Sequence, residues 1–299
     1  MRGDVLMAET IAHVASDKEY SICARSWFEA VLTGGLSELH EELRQEPRLN
    51  KPQDDESPWG DSCTLWGAMS VHQKPTSGGR LSLYSIGAWE KFLKGLSRGP
   101  HYAKLEMSPL DVNGKPESKI ARISVERLRD DPEWVHFSAI ANQSFLNWQE
   151  SPKRQNDWAS LVQGQAEVQR SSFGNVTNDD IGNQTALEAI LPHSVWDTIL
   201  NSRQELRGYS WVTICAAEIA ERLGGVDVLR RTGAFYEVTK LSYGGLFLRA
   251  TPALNEYDDV AVRKVFEALA PVLLSGRTER IRGYEHLKLV YNVDAADYR

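Results

Sequence analysis

The sequence contains no glycine-rich phosphate loop ending in Lys-Ser or Lys-Thr, no Gly-x-Gly-x-x-Gly, no His-Glu-x-x-His and no Cys-x-x-Cys. These absences remove the phosphate-cradling, dinucleotide-binding, zinc-protease and dithiol chemistries that short motifs can reveal. Cysteine is scarce. Cys23, Cys63 and Cys215 lie too far apart for a metal knuckle and fall in strand-like apolar runs, which reads as three reduced core residues. The seven histidines are scattered, none with a second histidine or a cysteine at metal-ligand spacing. No metal and no cofactor is therefore expected. No apolar run approaches the about 18 residues that span a bilayer, and Asp4 and Glu9 interrupt the place where a signal peptide is uniformly apolar. The expectation is a cytoplasmic chain with no membrane partner.

What is present is an ordinary globular composition over 299 residues, with a formal net charge of −7 and a pI near 5.6. An acidic balance argues against a nucleic-acid footprint, and Arg277, Arg280, Arg282 and Lys288 are too few to restore one.

The most regular stretch runs from Tyr209 to Val290. Trp211 to Cys215 reads as a strand, the run to Leu223 as a short helix, and Val226 to Leu229 as a second strand. Leu246 to Thr251 reads as a third strand, Val260 to Leu274 as a helix, and His286 to Val290 as a last strand. The same signals occur in the same order near the N-terminus. Ser21-Ile-Cys-Ala24 answers Thr213-Ile-Cys-Ala216, Gly34-Gly35 answers Gly224-Gly225, and Gly78-Gly79 answers Gly244-Gly245. A helix over Ala88 to Leu96 and a strand from His101 to Leu105 follow. The predicted fold class is α+β, built from two pseudo-repeated ferredoxin-like β-α-β-β-α-β halves with antiparallel sheets covered by helices. The expected domains are residues 1–150, opened by a weakly structured leader from Met1 to Glu19, a polar linker over 151–185, and residues 186–299. Thr185 with Glu188 forms a capping-box pair at the head of the second half.

Two constellations invite a catalytic reading. Gly95-Leu-Ser97-Arg-Gly99 satisfies the nucleophile-elbow string, but a helix precedes Ser97 and a strand follows it, the reverse of what the strained turn requires. Ser97 is read as the end of that helix, with Gly99 just beyond it. His101 and His286 occupy equivalent places in the two halves, where an axial haem ligand could stand, although a histidine entering a strand is more often structural. No catalytic residue is assigned. The alternative to a binding protein is an enzyme or ligand-binding protein using a pocket between duplicated halves.

The interval from Gly34 to Gly78 is more than twice as long as that from Gly224 to Gly244. Most of the excess lies between Glu41 and Asp61, read as a surface loop because acidic residues, lysine and proline without apolar period cannot form a core element. The candidate partner-binding residues are Glu41, Glu42, Asp54, Asp55, Glu56 and Trp59, an acidic surface with an aromatic anchor suited to a basic protein.

Leu206-Arg-Gly-Tyr-Ser-Trp-Val-Thr213, Leu223-Gly-Gly225, Gly244-Gly-Leu-Phe-Leu248, Tyr257 and Ala268-Leu-Ala-Pro-Val272 together resemble the bacterial type VI immunity family. The likeness covers about a third of the chain, and its residues are mostly structural. It departs from the family's glycine-and-proline stretch at Pro252-Ala-Leu-Asn-Glu-Tyr257. The resemblance implies a cytoplasmic, non-catalytic protein that binds and neutralises a toxin.

Within the strand at Trp211, Val212 and Ile214 share one face and Trp211, Thr213 and Cys215 the other. Burial of Trp211 is expected, because a strand tryptophan carries a large apolar area. A Trp211→Ala protein should lose about 3–5 kcal/mol of unfolding free energy, measurable by urea denaturation.

Overall fold

The computed structural model describes residues 5–45, 65–76, 78–111, 115–142, 151–179, 181–191 and 193–299. The chain divides into two compact units, one of Val14–Leu146 and one of Met1–His13 with Asn147–Arg299. In chain order, β1 (Val5–His13) opens the second of these. The Val14–Leu146 unit then contributes α1 (Asp17–Thr33), α2 (Ser37–Gln45), β2 (Leu65–His72), β3 (Arg80–Leu83), α3 (Ile86–Leu96), β4 (Tyr102–Pro109), β5 (Ala121–Arg127) and β6 (Trp134–Asn142). The C-terminal stretch adds α4 (Pro152–Gln169), β7 (Phe173–Thr177), α5 (Ala186–Ile190), α6 (Val195–Leu200), β8 (Val212–Cys215), α7 (Ala217–Arg222), α8 (Gly225–Thr232), β9 (Glu237–Lys240), β10 (Leu246–Arg249) and α9 (Asp259–Leu269).

In the Val14–Leu146 unit the strand order is β3-β2-β4-β5-β6, antiparallel throughout. Helix α1 begins at Ser16, whose hydroxyl accepts from the Glu19 backbone N–H. It buries Tyr20, Cys23, Ala24, Trp27, Phe28, Val31 and Leu32, the three-and-four spacing of one helix face. That face meets the sheet through Trp27, whose ring lies 6.0 Å from that of Phe137 on β6. Helix α2 sits close on β2: a Cβ built on Gly67 would come within 2.8 Å of the Tyr84 Cβ and 3.1 Å of a Leu43 methyl.

In the other unit the order is β1-β7-β8-β10-β9, again antiparallel. Its centre is polar as well as apolar. Glu9 pairs in register with Asn175, and Asn175 with Thr213. Arg207, with no exposed surface, donates from Nε to Glu188 Oε1 at 2.8 Å and from Nη2 to Oε2 at 3.0 Å. Its Nη1 lies 3.9 Å from Glu9 Oε1, and its guanidinium stands 5.0 Å over the Phe173 ring. Glu188 is held in turn by Thr198 Oγ1 and by the expected capping box, in which the Thr185 hydroxyl and the Glu188 carboxylate each cap the other's backbone N–H. Trp211 is buried, as expected, and its Nε1 donates to the Thr251 carbonyl.

The chain mixes helix and antiparallel sheet, but the two units do not repeat each other. Ser21–Ala24 lies within α1, while Thr213–Cys215 is strand. A four-residue apolar run fits either period; here the surrounding stripe decides for helix. Val226–Leu229 falls in α8, which opens at Gly225 behind its N-cap Gly224, both with positive φ, and buries only Leu229. His286–Val290 forms no strand, because the Val290 N–H donates to the Tyr209 hydroxyl and the Leu289 N–H to the local Leu287 carbonyl. Residues 5–13 of the expected leader are a strand, buried from Leu6 to Ala12, with Glu9 and Thr10 interrupting its apolar pattern. Where a linker over 151–185 is expected, the structure has α4 and β7. Buried Gln155, Gln165 and Gln169 hide the helical stripe of α4 from a purely apolar reading.

Because Arg207 is wholly buried, removing its partner strands a charge. Glu188→Leu should cost about 3–5 kcal/mol in urea unfolding, and adding Arg207→Met to it should recover much of that loss.

Candidate functional site

The sheet of the Val14–Leu146 unit has two unlike faces. On one, Val71, Ala103, Val125 and Phe137 stand in a cross-strand row, and the helices pack there: Leu43 meets Gly67, Val71 meets Gly95 and Phe137 meets Trp27. The alternate residues form the other face. Register places His72, Tyr102, Glu126 and His136 in one row, and Ser70, Lys104, Ser124 and Ser138 in the next. Ala68, Glu106, Arg122 and Ile140 follow, with Trp66 opposite Ser108 beyond them. The serines are buried, whereas Trp66, Tyr102, Lys104, Arg122 and Ile140 keep part of their surface.

Hydrogen bonds and charges knit this face. Ser124 and Ser138 hydroxyls are 2.8 Å apart, and Ser70 Oγ lies 3.3 Å from His72 Nε2. Glu106 accepts from Lys104 at 2.7 Å and pairs with Lys119 at 2.6 Å. Burial pushes the Glu106 carboxyl up, but hydrogen bonds and charge from the two lysines more than offset this and leave it below its ordinary value. Burial raises the Tyr102 phenol, against the Arg122 guanidinium. Chemically the face is mixed in charge and edged by aromatic rings, with its serines, Glu106 and His136 buried.

Of the residues picked from sequence, Glu41 and Glu42 lie on α2, a helix rather than the expected loop, because Leu39 and Leu43, with Leu36 just before the helix, give its inner side an apolar stripe. Glu41 is exposed and Glu42 half-buried. His40, one residue earlier, points back to the core, with its Nε2 2.9 Å from the Tyr84 hydroxyl. Asp54, Asp55, Glu56 and Trp59 lie outside the described residues, as does Cys63. The sheet-face residues were not selected in advance, although the alternation in Tyr102-Ala-Lys-Leu-Glu-Met107 carries their signal.

Ser97 ends α3 and donates its hydroxyl to the Lys94 carbonyl, and Gly99 follows with φ of 60°. Cys23 and Cys215 are free thiols; burial pushes them up to about 11 and about 12, so neither is a reactive thiolate. Cys23 belongs to a helix, not to the strand expected from its apolar run. Among the described residues, no group of three or more His, Cys, Asp or Glu could hold a metal ion, and no helix is long and apolar enough to cross a membrane.

No family model and no curated protein matches the chain. A solved structure titled Pseudomonas aeruginosa T6SS protein PA0821 does, at 13% identity and a TM-score of 0.54, over 96% of this chain and 78% of that one. At that identity the likeness is one of fold.

The depressed Glu106 carboxyl contributes stability that is present above the usual carboxylate range and lost as pH falls through its own lower value. The stability gap between the native protein and Glu106→Gln should therefore be widest near neutrality and narrow as pH falls below the ordinary carboxylate range, read from urea midpoints across pH.

Proposed function

We propose that this chain is a non-enzymatic immunity protein that binds and neutralises a protein toxin in the cytoplasm of the cell that makes both. The observation that carries the reading is the likeness of fold, across nearly the whole chain, to a T6SS protein. The Leu206–Val272 motif series that resembles the type VI immunity family supports it from the sequence side. Two residues of that series have structural work here: Arg207 anchors the buried ion network, and a Cβ on Gly208 would meet the Thr185 side chain at 2.7 Å.

The proposed partner contacts are Glu41 and Glu42 on α2 and, further along the sequence, Asp54, Asp55, Glu56 and Trp59, a set whose charge suits a cationic toxin. Charge of this kind speeds encounter more than it tightens the final complex, and salt screens it over about 8–10 Å.

The test is co-expression with a candidate toxin from a neighbouring gene. The full chain should restore growth, and deletion of Lys51–Glu56 should leave the fold intact while slowing association about tenfold or more at low salt. Full protection by the deletion, with an unchanged association rate, would remove the acidic segment from the interface. Failure of the full chain to protect would remove the immunity reading itself.

A further inference from the structure

The sheet of the Val14–Leu146 unit ends at β3, and β3 carries few of the devices that keep a sheet edge from pairing. Arg80 supplies its only charge. Arg80, Leu81 and Ser82 are exposed, Leu81 at 56%, and Ile86, which opens α3 just beyond, is 58% exposed. The terminal strand of the other unit's sheet, β9, is built differently. There Glu237 and Lys240 stand at the two ends, Val238 is buried, and the Arg230 guanidinium donates to the Val238 carbonyl.

Register fixes which backbone groups of β3 are free. The Tyr84 N–H donates to the carbonyl of Gly67 directly opposite it, so the alternate residues Ser82 and Arg80 also turn their backbone groups inward, to Met69 and Val71. Leu81 and Leu83 therefore point their N–H and C=O groups outward, where neither meets a hydrogen-bond partner among the described residues. Their side chains lie on the polar face, beside the small Ser70 and Ala68 of β2. Outward backbone groups on both sides of a serine, each with an apolar side chain, are a template for an antiparallel strand.

We infer that β3 pairs antiparallel with β3 of a second copy of this chain, about a two-fold axis at Ser82. The strand is self-complementary in that register. Leu81 meets the partner subunit's Leu83, the two exchange both backbone hydrogen bonds, and the two-fold repeats the exchange on the other side of Ser82. Leucine faces leucine on one side of the sheet, and on the other Arg80 stands opposite the partner subunit's Tyr84, so no like charges are brought together. This matching of residue pairs favours a second copy over another protein's strand. The pairing is isologous and closes on itself, and the blunted β9 offers no second edge for growth, so the product is a dimer and not a fibre. It uses none of the proposed toxin contacts and does not depend on the immunity reading.

The test is sedimentation velocity of the full chain at near-physiological salt, over a protein concentration of about 5–500 μM. The native protein should pass from monomer to dimer over this range, and amide exchange at Leu81 and Leu83 should slow with it while that at Ser82 stays slow throughout. Leu81→Pro removes an outward N–H that the monomer does not use, so it should fold normally and dimerise at least about tenfold more weakly. Leu81→Lys and Leu83→Glu should each weaken the dimer, and the double variant, which sets each new ammonium against the partner subunit's new carboxylate, should recover it. A native protein that stays monomeric overturns the inference, even if the same edge captures a strand of a toxin. A dimer that Leu81→Pro leaves unchanged lies elsewhere on the surface and overturns it too. Should Leu81→Pro not fold, the loss and recovery in the charge variants decide.

Discussion

A guanidinium with no exposed surface is the constraint on which the larger unit depends. Arg207 enters the interior only because Glu188 meets it with two oxygens and Glu9 stands on its far side. Desolvating one arginine and two carboxylates is costly, and the cost is offset only when all three are in place together. That requirement couples parts of the chain that are remote in sequence. Residue 9 lies on β1, residue 188 on α5 and residue 207 in the approach to β8, so the N-terminal strand cannot take its place without the C-terminal half. Thr185 and Thr198 extend the same network into two short helices that would be marginal alone. A network of this kind contributes uniqueness of arrangement as well as stability, since no other register of β1 brings a carboxylate to that position.

The smaller unit solves a different problem. Its five strands bury one face under α1, α2 and α3 and keep hydroxyls, imidazoles and charges on the other. Antiparallel sheets tolerate this asymmetry, because each strand alternates and the two faces can be specified independently. The helix-covered core thus leaves Tyr102, Lys104, Arg122 and Glu126 to the polar face, where Lys104 is tied to Glu106.

Much of the architecture was legible in the sequence wherever one period ran uninterrupted. The helix at Ile86–Leu96, the strands at Tyr102–Pro109, Trp134–Asn142 and Leu246–Arg249, and the helix at Asp259–Leu269 all announce themselves that way. So does the Thr185–Glu188 cap, whose chemistry is local. The elements that were missed share a physical cause. In β1, α4 and β7 the buried positions include Glu9, Thr10, Gln155, Gln169 and Asn175, polar residues whose partners lie far along the chain. Hydrophobic periodicity cannot register a residue that is buried because of a hydrogen bond. The apparent duplication failed for the related reason that a run such as Ser-Ile-Cys-Ala suits two periods equally, and only its neighbours in space decide. Of the candidate partner surface, Glu41 and Glu42 have a described position, on a helix whose apolar stripe of Leu39 and Leu43, with Leu36 just before it, had been overlooked beside its charges.

Gly67 carries a consequence beyond packing. Helix α2 rests against the sheet at the one position where β2 has no side chain, with Tyr84 and Leu43 filling the space a methyl would need. The height and tilt of α2 over the sheet are thus gauged by a missing carbon. Glu41 and Glu42 ride on the far side of that helix, and any residue larger than glycine at position 67 would lift them together. Variation at this one buried site would move an unchanged set of surface charges through space.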